Sequence, residues 1–256
     1  LDLSACTMAG TEFDPGAANT GENRIASLVL PAPAESIKAG TCISPAFRNF
    51  TALKGLGGAN VTAVGDYAFY NCDALAAVSL PAATSVGVET FWNCVALATV
   101  NLPAAASIGD YTFRGCDALE TVSLPAATSV GSGAFIGCRA LAAVNLPAAA
   151  SIGYGAFSSC YALATLNIHA VTNIGADVFE DPRGQALTIT MGQAAPSVSE
   201  IGIKAFSTFS KDVTIRTPAS PAGYSDTWQT NFKKAFGVGS GSYTVTINLG
   251  FETITP

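Results

Sequence analysis

Phenylalanine returns every 22 residues through the middle of this chain. Phe47, Phe69, Phe91, Phe113, Phe135, Phe157 and Phe179 fall on one grid. Cys72, Cys94, Cys116, Cys138 and Cys160 each follow a Phe by three residues, and Leu75, Leu97, Leu119, Leu141 and Leu163 follow three later again. A glycine column runs Gly65, Gly87, Gly109, Gly131, Gly153 and Gly175, each preceded by Val or Ile, and a proline column runs Pro81, Pro103, Pro125 and Pro147. Matched columns at a fixed period are the mark of stacked supersecondary units rather than a single closed core. A longer period overlies the first. VSLPAATSVG at 78–87 recurs letter for letter at 122–131, and VNLPAAASIG at 100–109 recurs at 144–153, so the unit duplicated last was a pair of repeats.

The columns dictate the shape of one unit. Val78 and Leu80 stand on either side of Ser79 and point the same way from a short strand, which Pro81 ends because it has no N–H for a ladder. The Val86-Gly87 step turns the chain, glycine allowing either a positive φ or a close approach of backbones. Phe91, Cys94 and Leu97 lie at i, i+3, i+6, a spacing that predicts a short helical or 3₁₀ turn with one buried face. One unit cannot bury these residues alone, whereas stacked units can, with parallel strands about 4.8 Å apart.

The pattern L-x-x-V-x-L-P-x-x-x-x-I/V-G-x-x-x-F-x-x-C-x-x-L resembles the leucine-rich repeats of BspA-like bacterial surface proteins. The likeness is specific over 54–185 and looser on either side. It implies an α/β solenoid, a right-handed superhelix of 22-residue repeats, over 1–206. Ile25 to Pro31 restores the strand signature, and extra residues delay Phe47, so that unit carries an insertion. After Phe179 the pattern degrades, and 207–256 reads as a C-terminal cap. Ser225-Asp226 caps a helix bearing Trp228, Phe232 and Phe236, and Tyr243 to Leu249 alternates as a last strand. The resemblance further implies a secreted or cell-surface protein that adheres to a protein or matrix ligand.

Composition narrows the partners. Charged residues make up 12% of the chain against the usual share of about 25%, and the net charge is −6. That leaves no basic footprint for nucleic acid or an anionic membrane. No apolar run approaches the roughly 20 residues a membrane span requires. The N-terminal Leu3-Ser4-Ala5-Cys6 is like a lipoprotein cleavage box, but the apolar stretch that should precede it is missing, and a truncated first strand is the preferred reading.

Candidate chemistry is sparse, and no cofactor is expected. Seven cysteines is an odd number, and five are in register. Parallel stacking holds their Cβ atoms about 4.8 Å apart, beyond the usual reach of a disulfide. Phe50 occupies the same column upstream, so the column is read as buried free thiols acting as small apolar residues. No paired C-x-x-C spacing suits zinc. The pairing of Cys6 and Cys42 is left open. His169, the one histidine, takes a proline slot and is expected at the surface. Asp66 and Asp110, like Asp73 and Asp117, lie two units apart, about 10 Å. That is near the separation of an inverting glycosidase's carboxylates, yet the paired duplication explains both without chemistry.

What remains is a variable strip: Tyr67, Tyr70, Trp92, Tyr111, Arg114, Ile136, Arg139, Tyr154 and Tyr161. Tyr, Trp and Arg are the residue types enriched at binding hot spots, and the solenoid core does not require them here. The alternative is that they shield the edges of the units. Ser79, Asn101, Ser123, Asn145 and Asn167 form an opposite, small and neutral strip. The expectation is a non-catalytic extracellular binding protein, with a structural spacer and a polysaccharide-acting solenoid enzyme as its rivals.

Overall fold

In the computed structural model, residues 7–9, 12–14, 27–30, 36–37, 47, 52–179, 186–192, 212–218 and 245–251 are described. The first described elements are an antiparallel pair, β1 (Thr7–Ala9) and β2 (Glu12–Asp14). Each coil then supplies two strands. These are β3 (Ser27–Val29) and β4 (Ser36–Ile37), β5 (Gly55–Gly57) and β6 (Ala63–Val64), β7 (Ala77–Ser79) and β8 (Ser85–Val86), and β9 (Thr99–Asn101) and β10 (Ser107–Ile108). There follow β11 (Thr121–Ser123) and β12 (Ser129–Val130), β13 (Ala143–Asn145) and β14 (Ser151–Ile152), and β15 (Thr165–Ile168) and β16 (Asn173–Ile174). Longer strands β17 (Leu187–Met191), β18 (Val213–Pro218) and β19 (Val245–Phe251) complete the order.

Every pairing after the first is parallel and joins equivalent positions one coil apart, as in Val78↔Val100 and Val86↔Ile108. The even-numbered strands, with β1 at the edge, form one nine-stranded sheet running through β16. The odd-numbered strands, joined by β18, form a second face that is broken once: β3-β5-β7-β9 is one sheet, and β11-β13-β15-β17-β18-β19 is another. At the break Val100 is only partly buried, whereas its column mates Val78 and Val122 are buried. Nothing in the sequence of the two coils accounts for it, since TVNLP at 99–103 differs from TVSLP at 121–125 only at the exposed pair Asn101 and Ser123.

The third face corrects the sequence reading. No helix or 3₁₀ segment occurs among the described residues, so the coils are all-β and turn rather than α/β. The reason is in the N–H groups. Those of Tyr67, Phe69 and Asn71 donate across to the next coil, to the carbonyls of Val88, Thr90 and Trp92, at 2.8–2.9 Å. Those of Tyr70, Cys72 and Leu75 close i→i−3 turns within the coil. A helix would need consecutive N–H groups turned inward. Left-handed residues at Tyr67 (φ 56°) and Asn71 (φ 58°), repeated at Glu89 and Asn93, at Tyr111 and Gly115, and at Gly133 and Gly137, interrupt it every four residues. The i, i+3, i+6 spacing buries Phe, Cys and Leu as expected, by successive turns instead of a helix.

The core is the stack of these columns. Rings of successive phenylalanines from Phe47 to Phe179 lie 4.4–5.9 Å apart and within 9–18° of parallel. The glycine column serves close approach, not positive φ. A Cβ on Gly109 would sit 2.6 Å from the carbonyl carbon of Gly87, and one on Gly175 would sit 2.6 Å from that of Gly153. At the C-terminal end β18 and β19 continue the sheet in parallel, the last strand overlapping the expected one over Val245 to Leu249. The helix over 225–236, the boundary at 206/207, Cys6, Cys42 and the insertion before Phe47 lie outside the described residues.

Candidate functional site

The turn face carries the variable strip, and its side chains form a ridge across the coils. Tyr67 and Tyr70 meet at 6.2 Å between ring centroids, Tyr70 and Trp92 at 5.6 Å, and Trp92 and Tyr111 at 5.8 Å, all tilted. The Arg114 guanidinium lies 4.1 Å over the Trp92 ring and 5.7 Å from that of Tyr111. Such contacts are worth about 0.5–1.5 kcal/mol each, so the ridge is ordered before any partner arrives.

Backbone strain falls on two of these residues, Tyr67 and Tyr111, and on Glu89 and Asp177 in the same column. Tyr67, Glu89 and Tyr111 hold φ of 51–56° at a position that Gly133 and Gly155 fill in later coils. A non-glycine residue there costs roughly 1–2 kcal/mol, and local strain of this kind gathers at functional sites. Tyr111 also needs its neighbour, since a side chain on Gly133 would run into its ring. Burial holds the half-buried Glu89 carboxyl above its ordinary range, with the Arg114 charge acting the other way.

Beside the ridge lies a groove of about 370 Å³. Trp92, Arg114 and Ile136 form one wall, and Asp117, Arg139 and Tyr161 the other. Its floor is the second left-handed column, Asn93, Gly115, Gly137 and Ser159. Arg139 donates to Asp117 at 2.9 Å, an open ion pair whose side chains are 65% and 37% exposed. Ile136 is half-buried because it covers the bare backbones of Gly133 and Gly155. Tyr154 stands in the column of Asp66 and Asp110 and is 51% exposed. The strip therefore divides into a ridge (Tyr67, Tyr70, Trp92, Tyr111, Arg114), a groove sharing Trp92 and Arg114 with it, and the exposed Tyr154 in the aspartate column.

The other candidates have structural partners. Cys72, Cys94, Cys116, Cys138 and Cys160 are free and buried. Each thiol donates to the carbonyl of the Phe that precedes it by 25 residues, at 3.0–3.7 Å. The column thus selects a small donor, a role that the apolar reading missed. Burial pushes Cys72 and Cys160 up to about 12 and the middle three well above their ordinary value. Asp66 Oδ1 accepts the Val88 N–H, and Asp110 Oδ1 the Ser132 N–H, both at 2.7 Å, so these carboxylates pin the next coil. His169 is half-buried, with part of its surface open to solvent. No group of three or more His, Cys, Asp or Glu among the described residues is arranged to hold a metal. The neutral strip bonds to itself, Asn101 to Ser79 at 3.0 Å, Asn145 to Ser123 at 3.1 Å and Asn167 to Asn145 at 2.7 Å.

The repeat that builds this surface matches a family model, BspA type Leucine rich repeat region (6 copies), over residues 35–160 and 84–214. The chain belongs to the BspA-type leucine-rich repeat family. Among solved structures, this BspA-type chain is similar to a leucine-rich repeat protein from Eubacterium ventriosum at 29% identity and a TM-score of 0.58, covering 67% of this chain and 46% of that one. It thus spans less than half of that relative's length. The leucine-rich repeat protein of T. pallidum is 22% identical over 87% of each chain, with a TM-score of 0.53. A leucine rich cell surface protein from Faecalibacterium prausnitzii is 17% identical, covers 95% of this chain and 94% of its own, and has a TM-score of 0.56. The last two likenesses show the fold. No curated protein sequence matches.

Sequence reading missed the groove's floor and its carboxylate. Gly115 and Gly137 stand in a column that reads Asn at 71 and 93, and both arginines of the strip fall beside them. That coincidence was the available signal.

Proposed function

We propose that this BspA-type chain is a non-catalytic binding scaffold on the outside of a bacterial cell, holding a protein or matrix macromolecule along the turn face. The observation that carries this reading is the ridge Tyr67–Tyr70–Trp92–Tyr111 with Arg114 stacked on it. The residues are of hot-spot type, ordered in advance, and partly held at a backbone cost that the scaffold alone does not need. Surface display is supported by the F. prausnitzii relative, described as a cell surface protein. A non-catalytic role is supported by the engagement of the cysteines and of Asp66 and Asp110 in coil-to-coil bonds. No helix among the described residues is long and apolar enough to cross a membrane.

The test is attachment of the purified chain to host cells and to immobilised matrix proteins. Trp92→Ala with Tyr111→Ala reduces attachment roughly tenfold or more, with an unchanged circular dichroism spectrum. Unchanged attachment removes the ridge as the site, and turnover in a glycan screen removes the non-catalytic reading.

A further inference from the structure

Charge is distributed unevenly along the repeats. Between residues 55 and 182 there are nine carboxylates but only two arginines and no lysine. Those two, Arg114 and Arg139, line the same groove. In a chain of net charge −6 this is a local concentration of cation, and it is made from the residue whose planar fork grips carboxylate or sulfate. The Arg114 guanidinium carbon lies 4.1 Å from the Trp92 ring centroid, and a guanidinium stacked on a ring can still donate through the N–H groups in its plane. Arg139 is 65% exposed and bonds to Asp117 through one of its nitrogens.

The floor is open at this point in the array. Glycine and asparagine both suit a left-handed position, and the column uses Asn71, Asn93 and Ser159 elsewhere. At Gly115 and Gly137 it carries no side chain, and a Cβ at Gly137 would meet nothing nearer than 4.0 Å. The resulting volume of about 370 Å³ lies within the range of small-ligand sites, about 300–1,000 Å³. Its walls and floor mix donors and acceptors, Asn93, Asp117, Arg139, Ser159 and Tyr161, with one large aromatic edge, Trp92. Hydroxyl groups both donate and accept, so that mixture suits a polyhydroxylated ring. A peptide strand finds less here. The N–H groups of Gly115 and Gly137 are already bonded to the carbonyls of Ile136 and Ser158, at 2.8 and 2.9 Å, and offer no free edge.

We infer that the groove between the Trp92–Arg114–Ile136 wall and the Asp117–Arg139–Tyr161 wall receives an acidic saccharide, its carboxylate or sulfate held by Arg114 and Arg139. The inference rests on reading the chain as a binding scaffold, and it names the chemistry of one part of the partner. Asp117 then takes a sugar hydroxyl in exchange for part of its contact with Arg139.

The experiment is calorimetric titration of the full chain with a hyaluronan tetrasaccharide (carboxylate), a heparin tetrasaccharide (sulfate and carboxylate), chitotetraose (neutral) and a short poly-glutamate peptide. At least one acidic tetrasaccharide binds, chitotetraose binds about tenfold more weakly or not at all, and affinity falls as salt rises. Which acidic probe binds identifies the anionic group. Arg139→Gln weakens binding by about tenfold. Gly115→Asn with Gly137→Asn does the same by filling the floor with a residue the column already uses, and urea unfolding checks that the fold survives. Three results overturn the inference: no acidic saccharide binds, poly-glutamate binds as well as the saccharides, or filling the floor leaves affinity unchanged. If any of these occurs while Trp92→Ala with Tyr111→Ala still lowers cell attachment, the ridge reading stands and only the groove is wrong.

Discussion

Three glycines separate the two reasons this chain uses glycine, space and backbone angle. Gly109 has no left-handed φ, but a Cβ there would lie 2.6 Å from the carbonyl carbon of Gly87 and 2.7 Å from its oxygen. Reaching ordinary contact requires the coils to part by roughly 0.8 Å. The Gly109 N–H to Val86 carbonyl bond, 3.0 Å long, would then be stretched out of hydrogen-bonding range. Losing one or two such ladder bonds without replacement costs about 1–3 kcal/mol each, so Gly109→Ala destabilises by about 3 kcal/mol or more. Gly137 is the reverse case, with φ of 73° and nothing nearer than 4.0 Å. Gly137→Ala costs only the left-handed penalty, about 1–2 kcal/mol. Gly57, in β5, has neither constraint, its nearest neighbour being Val29 at 3.8 Å. Gly57→Ala is neutral or stabilising by up to about 1 kcal/mol. Urea unfolding followed by far-ultraviolet circular dichroism orders the three, at constant m-value. If Gly109→Ala is as mild as Gly57→Ala, or milder than Gly137→Ala, the coils do not approach each other through this column and the account of the turn is refuted.

The cysteine column yields two more expectations. Buried thiols, raised from 9.0 to about 12 at Cys72 and Cys160 and well above 9.0 at the middle three, stay protonated in the folded state, while unfolded ones ionise from about pH 9. Their contribution is fully present below pH 9 and is lost as pH rises through the folded values, at about 1.4 kcal/mol per thiol per pH unit. Five in-register thiols therefore give a steep alkaline loss of stability, and Cys116→Ala flattens that slope by about one fifth in urea titrations above pH 9. In a Cys6→Ser, Cys42→Ser background, Cys138 and its column mates resist a thiol reagent at pH 8 until the chain unfolds, and rapid native labelling would contradict their burial.

The columns were readable in the sequence because each is set by one demand repeated at one spacing. Phe fills the stack, Leu and Val alternate on strands, and glycine admits the neighbouring coil. The turn face was misread because i, i+3, i+6 burial is shared by a helix and by a run of single turns. The discriminating signal was the column Asn71, Asn93, Gly115, Gly137 and Ser159, residue types that tolerate a left-handed step and break a helix. The thiol-to-carbonyl bonds were not readable at all, since a cysteine that fills space and one that also donates look alike in a sequence. Nor was the break between β9 and β11, whose coils are built from nearly the same letters.

The variable strip was legible as a list but not as a surface, because the same two left-handed columns decide both of its parts. Where the first column carries Tyr67 and Tyr111, the scaffold accepts strain and rings stand up as the ridge. Where it carries Gly133 and Gly155, the strain is gone and Ile136 settles over bare backbone. The second column changes from asparagine to glycine at Gly115, the coil in which Arg114 reaches back over Trp92. Ridge and groove therefore meet at one pair, Trp92 and Arg114, with aromatic contact toward the N-terminal coils and paired charge toward the C-terminal ones. A partner using both would have to lie along the solenoid axis in one direction only, because no other point among the described repeats joins a ring ladder to an arginine-walled groove.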